Sequence, residues 1–309
     1  MTYTYYRNRL CLQDQKVYDQ LLNGLRERQN VIDIPYTKLA PADLMQGVIA
    51  DHPELMDVDF RSFQYVDLFL KKYFRMTYTE YDRSAAKKLE QIGELFRSVV
   101  NKDMDDWDKA AVIYDTLGSM IRYGFIDGIL EHTIKGFLTE GKAVCDGISK
   151  MYQYLCGCCG IDCILIQGQV SEEGHAWNLI RLNGHWYHAD MTADLRICES
   201  AGYPAHVLFC RNDEVFSKDH VWDHSAYPAC TQAEDYFEHY HLTAASFLQF
   251  SSAVIKARLN GSSRINLKFQ TDVPVNMQKL QKWMLLMSIT GVLSVVFAEE
   301  HQIALILLQ

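Results

Sequence analysis

His175-Ala-Trp-Asn-Leu-Ile-Arg-Leu-Asn183-Gly184-His-Trp-Tyr-His-Ala-Asp190 decides the fold of this chain. Two apolar-alternating runs flank an Asn-Gly pair, the dipeptide favoured in two-residue type I′ hairpins because both turn positions need positive φ. With Asn183 and Gly184 as the turn, opposed residues have numbers adding to the same total as 182 and 185. Trp177 then faces Asp190, and His175 faces Thr192. Side chains alternate along a strand, so His175, Trp177 and Asp190 share one face. His175 and Asp190 become diagonal neighbours with Cα atoms about 7–8 Å apart, within reach of an imidazole–carboxylate hydrogen bond. Such a carboxylate fixes the ring tautomer and turns the other nitrogen toward a nucleophile. His188 shares this face but lies nearer the turn, opposite Leu179, and His185 points to the other face. Both are read as solvated or satisfied within the core.

Working outward, Cys163 to Val170 reads as a preceding strand, and the polar run Ser171-Glu-Glu-Gly174 leads into His175 at a sheet edge where a site can be open. Before it, Val144 to Cys159 is a helix with Ile148, Met151, Tyr152, Leu155 and Cys159 on its apolar face, and Gly160 stops it. Cys145 falls in its first turn, after Gly141 and just before Asp146 and Gly147. A helix N-terminus presents unpaired N–H groups and positive partial charge, which favour a thiolate and suit an oxyanion. The plain alternative is a buried cysteine acting as a small hydrophobe. Periodicity alone does not bring Cys145 to His175.

The first third reads as helical with one extended interruption. Helices are expected over Gln13–Gln29, from about Asp82 to Val100, and over about Asp105–Ile121. A short strand is expected at Val31–Pro35, with one or two more within Arg61–Thr77, and the aromatic-rich Phe60–Tyr81 is read as core in preference to a binding groove. Gly124 to Glu140 reads as a glycine-punctuated loop region. After about Tyr240 the pattern becomes an αβαββ unit: helix Ala244–Leu259, strand Ile265–Phe269, helix Met277–Leu286, strands Val292–Ala298 and Ile303–Leu308. The expected division is a mainly helical region over 1–104, a core over 105–240 and a small α/β domain over 241–309.

Of the 309 residues, 49% are hydrophobic and 22% charged, the balance of a soluble globular chain. A net charge of −9 argues against nucleic acid or an anionic membrane as the main partner. The run Trp283–Ala298 is shorter than a membrane span and is interrupted by Ser288, Thr290, Gly291 and Ser294. Nine irregularly spaced cysteines and no basic-then-apolar leader suit a reducing, cytoplasmic location. Cys156, Cys158, Cys159 and Cys163 crowd a helix end and a strand start, where four thiols cannot all converge, so they read as core thiols and not a zinc site. His220 and His224, with Asp219 and Asp223, are spaced for one helical face and read as surface groups. No metal or organic cofactor is expected.

The run Gly141-Lys-Ala-Val-Cys145-Asp-Gly147, then Gly168, His175-Ala-Trp-Asn178 and Trp186-Tyr-His-Ala-Asp190-Met-Thr192, resembles the transglutaminase-like superfamily. The likeness spans about Ile121–Asp194, with its elements in the family's order. It implies an α+β fold, a papain-like core in which a helix carrying the cysteine packs on an antiparallel sheet carrying the other two residues. It implies a catalytic Cys145, His175 as general base and acid, and Asp190 as the orienting carboxylate, with Trp177, Gly147 and Asp146 beside the substrate. Ile148 stands where family members often have an aromatic residue. Ala193-Asp194-Leu195 replaces the usual Trp-Asp-Asp after Asp-x-Thr. The flanks resemble bacterial proteins that set this core between a helical region and a small C-terminal domain. The expected activity is acyl transfer from an amide of a peptide or protein through an acyl-thioester, as a cysteine peptidase. A cross-linking transamidase and a catalytically silent peptide-binding scaffold are the alternatives.

Overall fold

The computed structural model describes residues 4–69, 71–100, 103–126, 128–197, 203–270, 275–286, 289 and 291–309. The chain begins with α1 (Tyr5–Asn8), α2 (Leu12–Arg26), β1 (Val31–Ile34), α3 (Pro41–Asp51), β2 (Gln64–Leu68) and β3 (Lys71–Arg75). β1, β3 and β2 form an antiparallel sheet in that order, covered by α2 and α3 through Val17, Leu21, Leu25, Leu44 and Val48. The N-terminal region is therefore a helix-covered sheet with its own core, more extended structure than its helical patterning suggests.

The middle of the chain contains α4 (Arg83–Val99), α5 (Asp106–Met120), β4 (Arg122–Tyr123), α6 (Ile134–Glu140), β5 (Lys142–Ala143), α7 (Cys145–Cys159), β6 (Cys163–Val170), β7 (Glu173–Leu182), β8 (His185–Ala189), α8 (Met191–Ile197), β9 (Phe209–Arg211), α9 (Asp213–Phe216) and β10 (His220–Val221). Five strands form an antiparallel sheet in the order β10-β6-β7-β8-β9. Asn183 and Gly184 both have positive φ, +48° and +88°, and Leu182 pairs with His185, the register that counting from the turn requires.

Two expectations need correction. The pairing does not run on to His175 and Thr192, because the chain turns into α8 at Met191 and His175 pairs with Gly168 instead. The stretch Gly124–Glu140 is not all loop: Thr133 caps α6 by accepting from the Lys135 N–H, and Gly141 ends it at φ +66°. Those are ordinary start and stop signals on a helix of only seven residues, too short for periodicity to declare.

One core lies under α7, where Ile148, Met151, Tyr152 and Leu155 meet α4, α5 and the sheet through Phe96, Trp107, Tyr114, Ile180 and Tyr187. A second cluster joins Ile164, Ile166, Trp177 and Leu179 to Phe216, Trp222, Ile303 and Leu305. The last two belong to the C-terminal sheet, which therefore packs directly on the central one. After α10 (Tyr236–His239), that unit runs β11 (Thr243–Ala244), α11 (Phe247–Leu259), β12 (Arg264–Phe269), α12 (Met277–Leu286), β13 (Val292–Ala298) and β14 (Ile303–Leu308), with strand order β11-β12-β14-β13. The expected αβαββ order is present, with the short β11 added. No helix among the described residues is long and apolar enough to cross a membrane.

Candidate functional site

Cys145 is the first residue of α7, after Val144 in extended backbone, and its side chain is half-buried. Gly147 is obligatory for this placement. A Cβ there would lie 2.4 Å from the Glu131 carbonyl oxygen and 2.8 Å from the Ala143 Cβ. Its absence lets the first turn of α7 rest on the backbone before α6, where the Val144 N–H donates to the same Glu131 carbonyl. Asp146 is turned inward. It accepts from its neighbour's Gly147 N–H, pairs with His132 at 2.9 Å and approaches Lys150 at 3.5 Å. Burial opposes its ionisation, but Lys150 and His132 outweigh that and hold its carboxyl below the usual range.

The link between helix and sheet, which periodicity could not supply, is made by two hydrogen bonds. The Ser149 hydroxyl donates to the Ala176 carbonyl at 3.1 Å, and the Asn178 amide donates to the Ser149 carbonyl at 3.1 Å. All three residues are buried, so α7 is held in register against the strand that carries His175.

His175 Nε2 lies 2.7 Å from Asp190 Oδ2, which leaves Nδ1 for the thiol. Burial opposes the imidazolium, but the hydrogen bonds and charges of Asp190 and Cys145 raise the His175 pKa to about 10. Asp190 is fully buried. Burial would raise its pKa, yet hydrogen bonds from His175 and His220 win and drive it well below the ordinary 3.8. The Ala193 N–H supplies a further donor, to Oδ1, at 3.1 Å. Cys145, His175 and Asp190 are thus brought together in a Cys–His–Asp order.

Trp177, expected beside the substrate, is fully buried. Its ring stacks on His175 at 5.9 Å and its indole N–H donates to His188 Nδ1 at 2.9 Å. Of the two expectations for His188, solvated or satisfied within the core, the second holds: it is buried, with Nε2 bonded to Asp213 at 2.8 Å.

The surface assignment of His220 is overturned. It opens β10 instead of lying on a helix, it is buried, and its Nε2 lies 3.2 Å from Asp190 Oδ2. His224, four residues on, is exposed and lies tilted against Trp222, so the two do not act as a pair.

Residues that the sequence did not mark also frame Cys145. Ala50 of α3 and Tyr6 of α1 share its apolar cluster with Leu165 and Ala176, so the N-terminal region forms part of the wall. On β4, Tyr123 pairs with Ala143. That pairing sets it opposite a residue two before Cys145, and burial, followed by the charge of Cys145, raises its hydroxyl pKa. Phe125 packs edge-on to it at 5.8 Å and is 75% exposed. Concavities of about 650 and 800 Å³ lie elsewhere, lined by groups such as His52 and Tyr154 or Asp82 and Lys135. Neither includes a member of the triad.

The four crowded cysteines do not form a ligand set. Cys156 and Cys163 are buried against one another, while Cys158 leans on Tyr154. Among the described residues, the groups close enough to hold an ion are His175–Asp190–His220 and His188–Asp213–Cys230. Neither suits one. In the first, Asp190 can only accept, so His175 Nε2 carries the hydrogen of their 2.7 Å bond and offers no lone pair to an ion. In the second, Trp177 can only donate, so His188 Nδ1 must accept and Nε2 keeps its hydrogen for Asp213.

Residues 93–191, about a third of the chain, match the family model described as the transglutaminase-like superfamily. The core is transglutaminase-like. Solved structures align over parts of the chain. A protein from Cytophaga hutchinsonii, provisionally described as a cysteine protease, is 14% identical over 42% of this chain and 61% of its own, with a TM-score of 0.29. A TGase is 11% identical over 52% and 50%, with a TM-score of 0.31. Menin, whose structure reveals the binding site for the Mixed Lineage Leukemia (MLL) protein, is 14% identical over 58% and 43%, with a TM-score of 0.28. The chain therefore spans about three fifths or less of each of these proteins. No curated protein sequence matches it.

Proposed function

We propose that this transglutaminase-like chain is a cysteine-dependent acyl-transfer enzyme that hydrolyses amide bonds of peptides or proteins. One observation carries the proposal: His175 sits between a buried carboxylate 2.7 Å away and a thiol at the start of a helix. An imidazole so placed holds a thiolate–imidazolium pair ready for attack. Cys145 Sγ bonds to the carbonyl carbon of the substrate, and the oxyanion formed lies at the N–H groups that open α7. His175 gives its proton to the leaving nitrogen as the C–N bond breaks, and an amine departs. Water then loses a proton to His175 and attacks the thioester. The S–C bond breaks and the carboxylic acid is released, returning the thiol and imidazole to their starting state. Asp190 keeps the ring oriented throughout and bears no part in bond making.

The test is hydrolysis of a peptide library by wild type and by Cys145→Ala, with products identified by mass. Loss of all turnover in the variant supports the mechanism; equal rates overturn it. Adding a primary amine decides the acceptor, since a transamidase would return amine adducts in place of free acids.

A further inference from the structure

We propose that His220 is a positioning residue for this site, a second histidine that fixes Asp190 so that Asp190 can fix His175. The proposal rests on the acyl-transfer reading above and adds a residue to it.

Asp190 Oδ2 carries two imidazoles, His175 Nε2 at 2.7 Å and His220 Nε2 at 3.2 Å. A fully buried carboxylate is cut off from bulk solvent, so donors from the protein carry much of its hydrogen bonding. The Ala193 N–H fills Oδ1, and His220 supplies the second donor on Oδ2. The orientation of His220 is itself set from behind, because its Nδ1 lies 2.6 Å from Asp219 Oδ1. Both ring nitrogens thus face carboxylate oxygens, and the ring cannot turn without losing a contact.

Packing holds the plane. Trp177 meets the His220 ring edge-on at 5.0 Å, and Phe216 lies 4.4 Å away. Gly168 lets β10 come this close, since a Cβ there would lie 2.4 Å from the Val221 carbonyl oxygen and 2.6 Å from the Trp177 ring. The result is a chain of groups, Asp219–His220–Asp190–His175–Cys145, in which His220 and Asp190 are buried while His175 and Cys145 are partly exposed. The ionisable groups around His220 are Asp190, Asp219 and His175, with His188 and His301 farther out.

Three variants separate this role from bulk stability. His220→Gln can place an amide N–H where Nε2 points and keep the bond to Asp190. His220→Asn is shorter, reaches only the Nδ1 position, and cannot. His220→Leu removes both bonds. The measurements are kcat and KM on a substrate from the peptide library, and the rate of Cys145 alkylation by iodoacetamide against pH. Leu and Asn should lower kcat about 10- to 100-fold with KM unchanged, the cost of a mispositioned ring. Their alkylation profiles should lose the high alkaline limit set by His175, while Gln keeps both close to wild type. Equal behaviour of Gln and Asn overturns the proposal even if Leu fails to fold, and so does a wild-type profile in folded His220→Leu. If wild type hydrolyses no amide, the acyl-transfer reading fails by itself, because the alkylation profiles still report on His220.

Discussion

Among the described residues, two clusters each bring together a cysteine, a histidine and an aspartate, and they are connected in opposite order. Around β7 the histidine is central: Asp190 bonds one nitrogen of His175, and the other is left to Cys145. Beyond β8 the aspartate is central: Asp213 receives His188 Nε2 on one oxygen and the Cys230 N–H on the other. The consequences for the histidines diverge. His175 is raised to about 10, whereas burial lowers His188 despite its carboxylate. The thiol of Cys230 is buried against a carboxylate, and both burial and that negative charge raise its pKa. Residue types alone therefore do not make a nucleophile. What matters is whether a ring nitrogen of the histidine is left to face the thiol, and in the second cluster the Trp177 indole occupies it.

The contrast is broken most severely at the carboxylates. Asp190→Asn should lower turnover by about 10⁴-fold, the scale seen when a triad histidine loses its orienting acid. Asp213→Asn should leave turnover within about tenfold while costing about 1–3 kcal/mol of stability in urea unfolding, from a weakened buried hydrogen bond. Comparable losses of turnover in both variants would mean that the two pairs are not functionally distinct. A smaller effect is expected at the residue joining the clusters. Trp177→Phe keeps a ring against His175 but strips the donor from His188 Nδ1, leaving a buried acceptor unpaired at about 1–3 kcal/mol. Unfolding should report that loss while turnover falls less than tenfold, and unchanged stability would show that the indole bond does not matter.

Much of the first cluster was legible in the sequence, and the reasons are local. Asn183-Gly184 sets a two-residue turn, and once the turn is set, His175 and Asp190 follow by counting. The helix start at Cys145 followed from its apolar spacing. His220 was not legible. It reaches Asp190 across thirty residues on a two-residue strand, and its spacing to His224 imitates a helical face. A signal was present in Val221-Trp222, large apolar residues beside the histidine where a surface helix would be polar. The seating of α7 was equally hidden, because Ser149 and Asn178 bond through backbone carbonyls that no side-chain pattern reveals. The wall made by Ala50 and Tyr6 depends on how the N-terminal region packs on the core, which no local spacing encodes. At the level of the fold, α6 was missed because seven residues give periodicity too little to repeat.

The charge states give the contrast a pH signature. His175 has a raised folded pKa, so its contribution to stability is complete below its ordinary 6.5 and is lost as pH rises through about 10. Asp190 has a depressed one, so its contribution is present above its ordinary 3.8 and is lost only as pH falls well below that. The imidazolium–carboxylate pair therefore spans the neutral range and extends to alkaline pH.

The central claim, that connection order and not composition makes Cys145 the nucleophile, is tested most directly by iodoacetamide labelling of native protein from pH 6 to 11. Peptide mass mapping would follow Cys145 and Cys230 in the same sample. The account predicts rapid labelling of Cys145 at neutral pH, with a change in its rate as His175 titrates near pH 10. Cys230 should label only once the protein is unfolded. Equal rates at the two cysteines in folded protein, or a Cys145 profile that ignores the titration of His175, would contradict it.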